Sequence, residues 1–364
     1  MPTNDVFYQK FRPKHLSHIL GQKIAVKILQ KSCEKETFHH SYLLSGKIGT
    51  GKTSVARLLA AMLTCENRKP GSSVVCHNCA GCRAAYGGGS SDIQEIDAAS
   101  NSGVDNIRGI IDGSRYSPQE LKRRVFIIDE CHMLTTVAVK SLLKTLEEPS
   151  STAVFILATT EFNKIPPDVR SRCMKLFFHE VPVQAVSEFI GKLFASKKIK
   201  IDKEALDCIA RASRGSVRDA LEIAQEVILL SDGEVTERAV SELVGMAGTE
   251  ELYSLAMAIS DKDILKSFDI LATIFSSNVD CKTVLTELGE IFRSIMLSKV
   301  SKKFIENLVT SQQEIIKSVE DKFTVQGLAS MLSIFEDSEK AFGVNINGRW
   351  VLEAAVVKII GNID

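Results

Sequence analysis

The sequence has no net charge: its 45 lysines and arginines are matched by 45 aspartates and glutamates. That excludes a protein that coats nucleic acid by bulk positive charge, though an oligomer could still present a local basic face. There is no apolar run near the roughly 18 residues of a membrane span. The opening, MPTNDVFYQKF, lacks the apolar core of a signal peptide. A cytoplasmic chain is the expectation. No repeat array and no low-complexity tail interrupts the pattern. Nine cysteines are present, and in the cytoplasm most would be reduced. A cysteine cluster therefore points to metal before disulfide.

At 364 residues the chain is longer than one typical domain, so two or three are expected. Its first half alternates short apolar runs with helical patterns. Ser41–Gly46 (SYLLSG), Val125–Asp129 (VFIID) and Ala153–Thr160 (AVFILATT) read as buried strands bounded by turns. SVARLLAAML sets Val55, Leu58, Leu59, Met62 and Leu63 on one helix face. Strands alternating with helices imply a parallel sheet covered on both faces. From about Pro182 the pattern is helical throughout, in AVSEFIGKLFASK, EALDCIARAS and VRDALEIAQEVILL. Beyond Val244 helical spacing continues through Leu252, Leu255 and Ile259 to Leu328, Met331, Leu332 and Phe335. The expected division is an α/β domain over 1–179, a small helical domain over 180–243 and an all-α domain over 244–364.

GKIGTGKTS (Gly46–Ser54) fits G-x-x-x-x-G-K-[ST], with Gly46, Gly51, Lys52 and Thr53 at the defining positions. Its glycines let backbone N–H groups turn inward around phosphate oxygens, and the following helix adds its positive dipole end. Lys52 would reach the β/γ-phosphates of ATP and Thr53 would hold Mg²⁺, with Gly49, Thr50 and Ser54 completing the loop. A chance match would lack the strand before it and the helix after it. Asp129 ends an apolar strand, where it can hold magnesium through water, and Glu130 can polarise an attacking water. Between Thr53 and Asp129 there is room for a strand in DIQEIDA, which suits the additional-strand group of P-loop ATPases. Thr160, beside Thr159, could orient water between Glu130 and the γ-phosphate; an ordinary strand-end threonine is the plainer alternative.

Cys65, Cys76, Cys79 and Cys82 read C-x10-C-x2-C-x2-C, a soft set suited to a closed tetrahedral structural Zn²⁺ site. His77 in place of one thiolate, an iron–sulfur cluster and free thiols remain open alternatives. The module, at about residues 64–84, interrupts the chain after the phosphate-loop helix and would display a surface for a partner. Cys33, Cys131, Cys173, Cys208 and Cys281 are scattered and read as core or incidental.

Together these motifs resemble the gamma/tau subunit family of bacterial DNA polymerase III, the motor of the sliding-clamp loader, within the AAA+ ATPases. The likeness rests on YQKFRPKHLSHILGQ, SYLLSGKIGTGKTSVARLLA, the four cysteines, QEIDAAS, VFIIDECHMLT, LLKTLEEP, FILATTEFNKIPPDVRSRC and ASRGSVRDAL. These blocks cover residues 8 to about 225; beyond 245 only helicity and length agree. The implied fold is an α/β AAA+ P-loop ATPase domain with a zinc-binding insertion, a helical lid and an all-α collar that would hold subunits together. An independent helical domain with another partner is the collar's alternative. The resemblance implies that Arg12 and Pro13 line the adenine side, Thr160 is the first sensor, and Arg218 is a second sensor from the lid. It implies partners too: further copies, delta- and delta-prime-type subunits in a ring, the sliding clamp and primer–template DNA. Asn101 and Arg108 are weak candidates for DNA backbone contact. DECHML stands where DEVHML is common in the family.

The resemblance also makes Arg172, in SRC, an arginine finger. In IPPDVRSRC two prolines block helix continuation before Asp168, so a short helix should point its arginines outward. The finger would then serve a neighbour's nucleotide, while Arg170 reads as ordinary and exposed. ATP binding at subunit interfaces would open the clamp and load it on primed DNA, matched by backbone contacts, with hydrolysis releasing it. The rivals are a non-hydrolysing stator subunit, a different AAA+ DNA motor, and a zinc-mediated DNA-binding module. The end at Asp364 is compatible with a short form, a truncation or an unusual gene.

Overall fold

The structure is a computed structural model that describes residues 6–87, 89–230, 233–276, 279–301, 310–342 and 347–362. The first five residues of the expected α/β domain, residues 231–232 of the expected lid and part of the expected collar lie outside them. Backbone contacts divide the chain into two compact units, Met1–Lys198 with Ile209–Leu229, and Ile199–Cys208 with Leu230–Asp364. No helix of the described residues is long and apolar enough to cross a membrane.

The first unit opens with α1 (Phe7–Lys10) and α2 (Lys23–Glu34). Then follow β1 (Ser41–Gly46), α3 (Lys52–Thr64), α4 (Ala80–Gly87), β2 (Ile93–Asp97), α5 (Val104–Ser114) and β3 (Arg124–Asp129). It continues through α6 (Thr136–Glu147), β4 (Ala153–Thr159), α7 (Pro167–Arg172), β5 (Met174–Phe178) and α8 (Val183–Lys197). The strands pair in parallel in the order β2-β3-β4-β1-β5. Because strand side chains alternate, Tyr42, Leu44, Val125, Ile127, Val154 and Ile156 enter one core. Leu43, Phe126, Ile128, Phe155 and Leu157 enter the other. The expected strands are all present. The one that separates β1 from β3 is β4, whereas β2, in DIQEIDA, forms the sheet edge beyond β3.

Helix α3 departs from the one-faced pattern expected of it: Val55, Ala56, Leu58, Leu59, Ala60, Ala61, Met62 and Leu63 are all buried. The cause is α4, which carries Cys82, Ala84 and Ala85 into the same core. A Cβ at Gly81 would sit 2.5 Å from the Thr64 carbonyl oxygen, so only glycine permits this approach. The proline pair leads into the expected short helix. Pro167 occupies the first turn of α7 and opens the helix, where its missing N–H leaves no bond unmade.

Helix α9 (Lys203–Ala212) crosses the division, and α10 (Val217–Leu230) closes the first unit. The second unit contains β6 (Lys200–Ile201), paired with β7 (Glu234–Val235), then α11 (Glu237–Val244). It goes on through α12 (Thr249–Ser260), α13 (Ile264–Ser276), α14 (Cys281–Val300), α15 (Thr310–Val319), α16 (Val325–Ala341) and α17 (Gly348–Gly361). One apolar core joins these helices, centred on Phe292, whose ring lies 5.6 Å from Phe323 and 5.8 Å from Phe335.

Candidate nucleotide site and cysteine cluster

Strands β1, β3 and β4 end together, and the candidate phosphate groups sit at those carboxyl ends. Gly51, at φ 102°, precedes α3, so the helix N-terminus begins at Lys52. Lys52 is buried, and its Nζ donates to the carbonyls of Gly46 (2.8 Å) and Lys47 (2.9 Å). Burial lowers its pKa, and the Glu130 and Asp129 carboxylates act in the opposite direction. Thr50 Oγ1 donates to the Lys47 carbonyl at 2.8 Å. Thr53 Oγ1 donates to Asp129 Oδ2 at 2.7 Å, which sets a hydroxyl beside a carboxylate. These are hard oxygen donors, the type Mg²⁺ accepts. Ser54 lies in the first turn of α3.

The loop is also held from α10. The Val217 N–H donates to the Gly49 carbonyl at 3.1 Å. Gly49 has φ +73°, and a Cβ there would lie 1.8 Å from Ser216 Oγ. Ser216 and Val217 were not among the residues the sequence singled out, because their role is a packing contact rather than a motif.

Glu130 has a left-handed backbone, φ 46°. Its Oε2 accepts from the Thr160 N–H (3.1 Å) and from Thr160 Oγ1 (2.9 Å). Thr160 thus touches the Glu130 carboxylate directly. His132 Nδ1 lies 3.2 Å from the same oxygen. Nothing in the spacing had singled out His132.

Arg172 stands apart. Arg172 ends α7, and its carbonyl accepts from Ser41 Oγ at 2.7 Å. Ser41 begins β1 and Gly46 ends it, so Arg172 is at the opposite end of that strand from the phosphate loop. Six strand residues span roughly 17 Å. The Arg172 side chain, 32% exposed, binds Glu147 Oε1 at 2.6 Å and the Asp168 carbonyl at 2.7 Å. Arg170 is a correction: rather than exposed, it is half-buried, its guanidinium 5.0 Å from the Phe162 ring centre. Arg218, in the first turn of α10, pairs with Glu222 at 3.0 Å and lies over the Tyr8 ring at 4.7 Å. Arg12 and Pro13 follow α1 and are half-buried. Burial, then Arg57, lowers the Arg12 pKa against the opposing pull of Glu95. Asn101 bonds the Asp97 carbonyl at 3.2 Å, and Arg108 pairs with Asp105 at 3.3 Å on an exposed face.

The sulfur atoms of Cys65, Cys76, Cys79 and Cys82 all lie within 4.8 Å of one another. Cys65–Cys76 and Cys76–Cys82 are 3.7 and 3.9 Å apart. Tetrahedral zinc with Zn–S near 2.3 Å needs sulfurs about 3.8 Å apart, so the donor set fits. The Cys76 thiol is drawn down to about 6 by N–H groups of Asn78 and Cys79 and by Asn67, which favours the thiolate a metal requires. His77 lies outside the sulfur cluster, its ring 5.3 Å from His15 and 5.7 Å from Tyr86.

A five-stranded parallel sheet, a glycine loop between β1 and a helix, and carboxylates at the end of β3, one strand removed from β1, define a P-loop ATPase fold. Family models agree along the chain: "DNA polymerase III, delta subunit" matches residues 21–182. "DNA polymerase III clamp loader subunit, ATPase lid domain" matches 185–233, and "DNA polymerase III subunits gamma and tau domain III" matches 235–362. DNA polymerase III subunit gamma of Buchnera aphidicola subsp. Schizaphis graminum is 30% identical over 359 residues, covering 98% of this chain and 98% of that protein. DNA polymerase III subunit tau of Bacillus subtilis is 33% identical over 354 residues, 97% of this chain and 62% of that protein. The Holliday junction branch migration motor RuvB of Thermotoga maritima has a TM-score of 0.48 at 20% identity, covering 68% of this chain and 79% of that one. The chain belongs to the gamma/tau family of DNA polymerase III subunits. It spans 62% and 59% of the tau and gamma/tau relatives from Bacillus subtilis and Mycoplasma genitalium.

Proposed function

We propose that the chain is an ATP-hydrolysing motor subunit of a bacterial sliding-clamp loader. The observation that carries this is a division along β1. A set of candidate phosphate-binding groups, Lys52 and Thr53 with Asp129 and Glu130 from the end of β3, gathers at its carboxyl end, and Arg172 is anchored at its start. Lys52 and the loop N–H groups bind ATP phosphates, with Gly46, Gly49, Thr50, Gly51 and Ser54 shaping the loop. Arg12 and Pro13 flank the adenine. Magnesium, held by Thr53 and by Asp129 through water, would supply charge neutralisation at the phosphate oxygens. Glu130, held by Thr160, orients the attacking water, and Arg218 senses the nucleotide from the lid. Arg172 is too far from its own loop and serves the next subunit's ATP, where guanidinium can contact two oxygens.

The domains proposed are the ATPase domain over 1–179, the lid over 180–243 and an oligomerising collar over 244–364. Cys65, Cys76, Cys79 and Cys82 hold a structural zinc that braces α4 on α3. Delta- and delta-prime-type subunits, the clamp and primed DNA are the proposed partners, met in the cytoplasm, with Asn101 and Arg108 as candidate DNA backbone contacts. The stator reading has one observation in its favour, the delta-subunit description of the model over residues 21–182. It predicts no hydrolysis.

The test is hydrolysis by mixed variants, with clamp, primed DNA and loader partners present. Lys52→Ala and Arg172→Ala should each be nearly inactive, and mixing them should restore activity. Wild-type hydrolysis by Arg172→Ala alone would sink the trans arrangement. An inactive wild-type protein that still assembles would favour the stator.

A further inference from the structure

We propose that His132 is a positioning residue for Glu130, an inference that rests on the hydrolytic role proposed above for that carboxylate. The His132 side chain is only 8% exposed, whereas that of Glu130, two residues before it, is 27% exposed. Its Nδ1 lies 3.2 Å from Glu130 Oε2 and 3.1 Å from Thr159 Oγ1. Nδ1 is hydrogen-bonded to the Thr159 hydroxyl, and because a carboxylate oxygen can only accept, a proton on Nδ1 is the arrangement that suits the neighbouring Glu130. The Thr159 hydroxyl already accepts from the Glu161 N–H at 3.0 Å, which fixes the oxygen on the other side of the ring. Nε2 faces outward toward Glu161 Oε1 at 3.5 Å, a carboxylate that Lys164 binds at 2.7 Å.

Two donors bond Oε2 of Glu130, the Thr160 N–H and the Thr160 hydroxyl, and the imidazole Nδ1 stands 3.2 Å from the same oxygen. Oε1 has no such partner among the described residues. That asymmetry turns one oxygen into an anchor and leaves the other for water. The Glu130 backbone is in the left-handed region, a conformation that costs energy for a non-glycine residue and persists where surrounding contacts enforce it. The imidazole, held in the next turn between β3 and β4, is one of those contacts. Thr160 aligns the carboxylate from one strand; His132 prevents it from rotating about that attachment.

The prediction concerns turnover, not nucleotide binding. In the assembled complex, His132→Ala should lower kcat about 10–100-fold, the range typical of lost supporting hydrogen bonds. The Kd for a fluorescent ATP analogue should change less than about twofold. His132→Asn, whose amide can donate near the Nδ1 position, should recover most of the loss. Side-chain ¹⁵N NMR of the wild-type chain should show His132 as the Nδ1–H tautomer. Wild-type or raised kcat in His132→Ala would overturn the proposal, as would an Nε2–H tautomer. A parallel loss of kcat and affinity that asparagine does not rescue would make the residue merely structural. Glu130→Gln, measured alongside, must be nearly inactive; if it hydrolyses ATP normally, the role given to Glu130 fails first, whatever His132 does.

Discussion

The two ends of strand β1 are built on different principles. At the carboxyl end Lys52 is buried, its ammonium on two backbone carbonyls, and one Glu130 oxygen accepts two hydrogen bonds from Thr160 with the His132 imidazole 3.2 Å away. At the other end Arg172 is partly exposed and tied to one surface glutamate. A group that serves its own chain can be fixed by its own fold. A group that must reach another molecule has to keep a releasable partner, since a buried and fully bonded guanidinium would lose much in leaving. The difference in burial thus matches the difference in proposed role.

The strongest test of this contrast separates affinity from rate. Arg172→Ala should cost about 10³–10⁵ in hydrolysis while leaving nucleotide affinity of the same chain nearly unchanged. Lys52→Ala should lose nucleotide affinity as well. Titration of a fluorescent analogue beside steady-state hydrolysis distinguishes them, and equal loss of affinity in both variants would erase the contrast. Next in size is Thr160→Val, which removes one hydrogen bond to a charged acceptor. A bond of that kind contributes about 1.5–3 kcal/mol, or roughly 10–100-fold in kcat. An unchanged kcat would mean that Glu130 is aligned by other groups. The cysteine module should act through stability alone. Cys76→Ser, or a strong chelator, should lower the melting temperature by roughly 5–10 °C. Zinc bound in stoichiometric amount to the wild-type chain and absent from the variant is the accompanying measurement.

How much of this was legible beforehand follows the same contrast. The proposed phosphate end has a local signature, because Lys52 and Thr53, and Asp129 and Glu130, lie in two contiguous motifs that the fold brings together. The strands were legible because a parallel sheet buried on both faces demands unbroken apolar runs. The cysteine positions were readable for the same reason of fixed spacing. What escaped were contacts between distant segments. The link from Val217 to Gly49, the Glu147 partner of Arg172 and the burial of α3 beneath α4 have no local signature. Arg170 was misjudged because a charged residue beside a proline turn reads as solvent-facing, whereas Phe162 offers its ring face. His132 lies within the legible VFIIDECH block and still went unread. Its part depends on Thr159 and Glu161, which the fold brings across from β4.

Two arginine–glutamate pairs allow the finest comparison, because their chemistry is shared and their setting is not. Arg172–Glu147 stands at the start of the sheet; Arg68–Glu36 ties the cysteine insertion to the end of α2. Glu147→Gln should shift the melting temperature little, since an exposed pair contributes about 0–1 kcal/mol. It should change hydrolysis by about threefold at most, as the proposed finger loses only its resting partner. Glu36→Gln should leave hydrolysis unchanged and act on stability alone. Hydrogen bonds from Arg68, then from the Gly71 N–H, lower the Glu36 carboxyl to about 2. In an unfolded chain the same carboxyl titrates near 4.3. A depressed folded pKa means the stabilisation is complete above roughly pH 4 and is lost as pH falls through about 2. Solvent screening limits it to about 1 kcal/mol. The melting-temperature gap between wild type and Glu36→Gln should therefore be constant from pH 7 to 5 and narrow toward pH 3. A gap that widens on acidification would show that Glu36 is held in its protonated form, and would leave the two pairs unlike in chemistry as well as in setting.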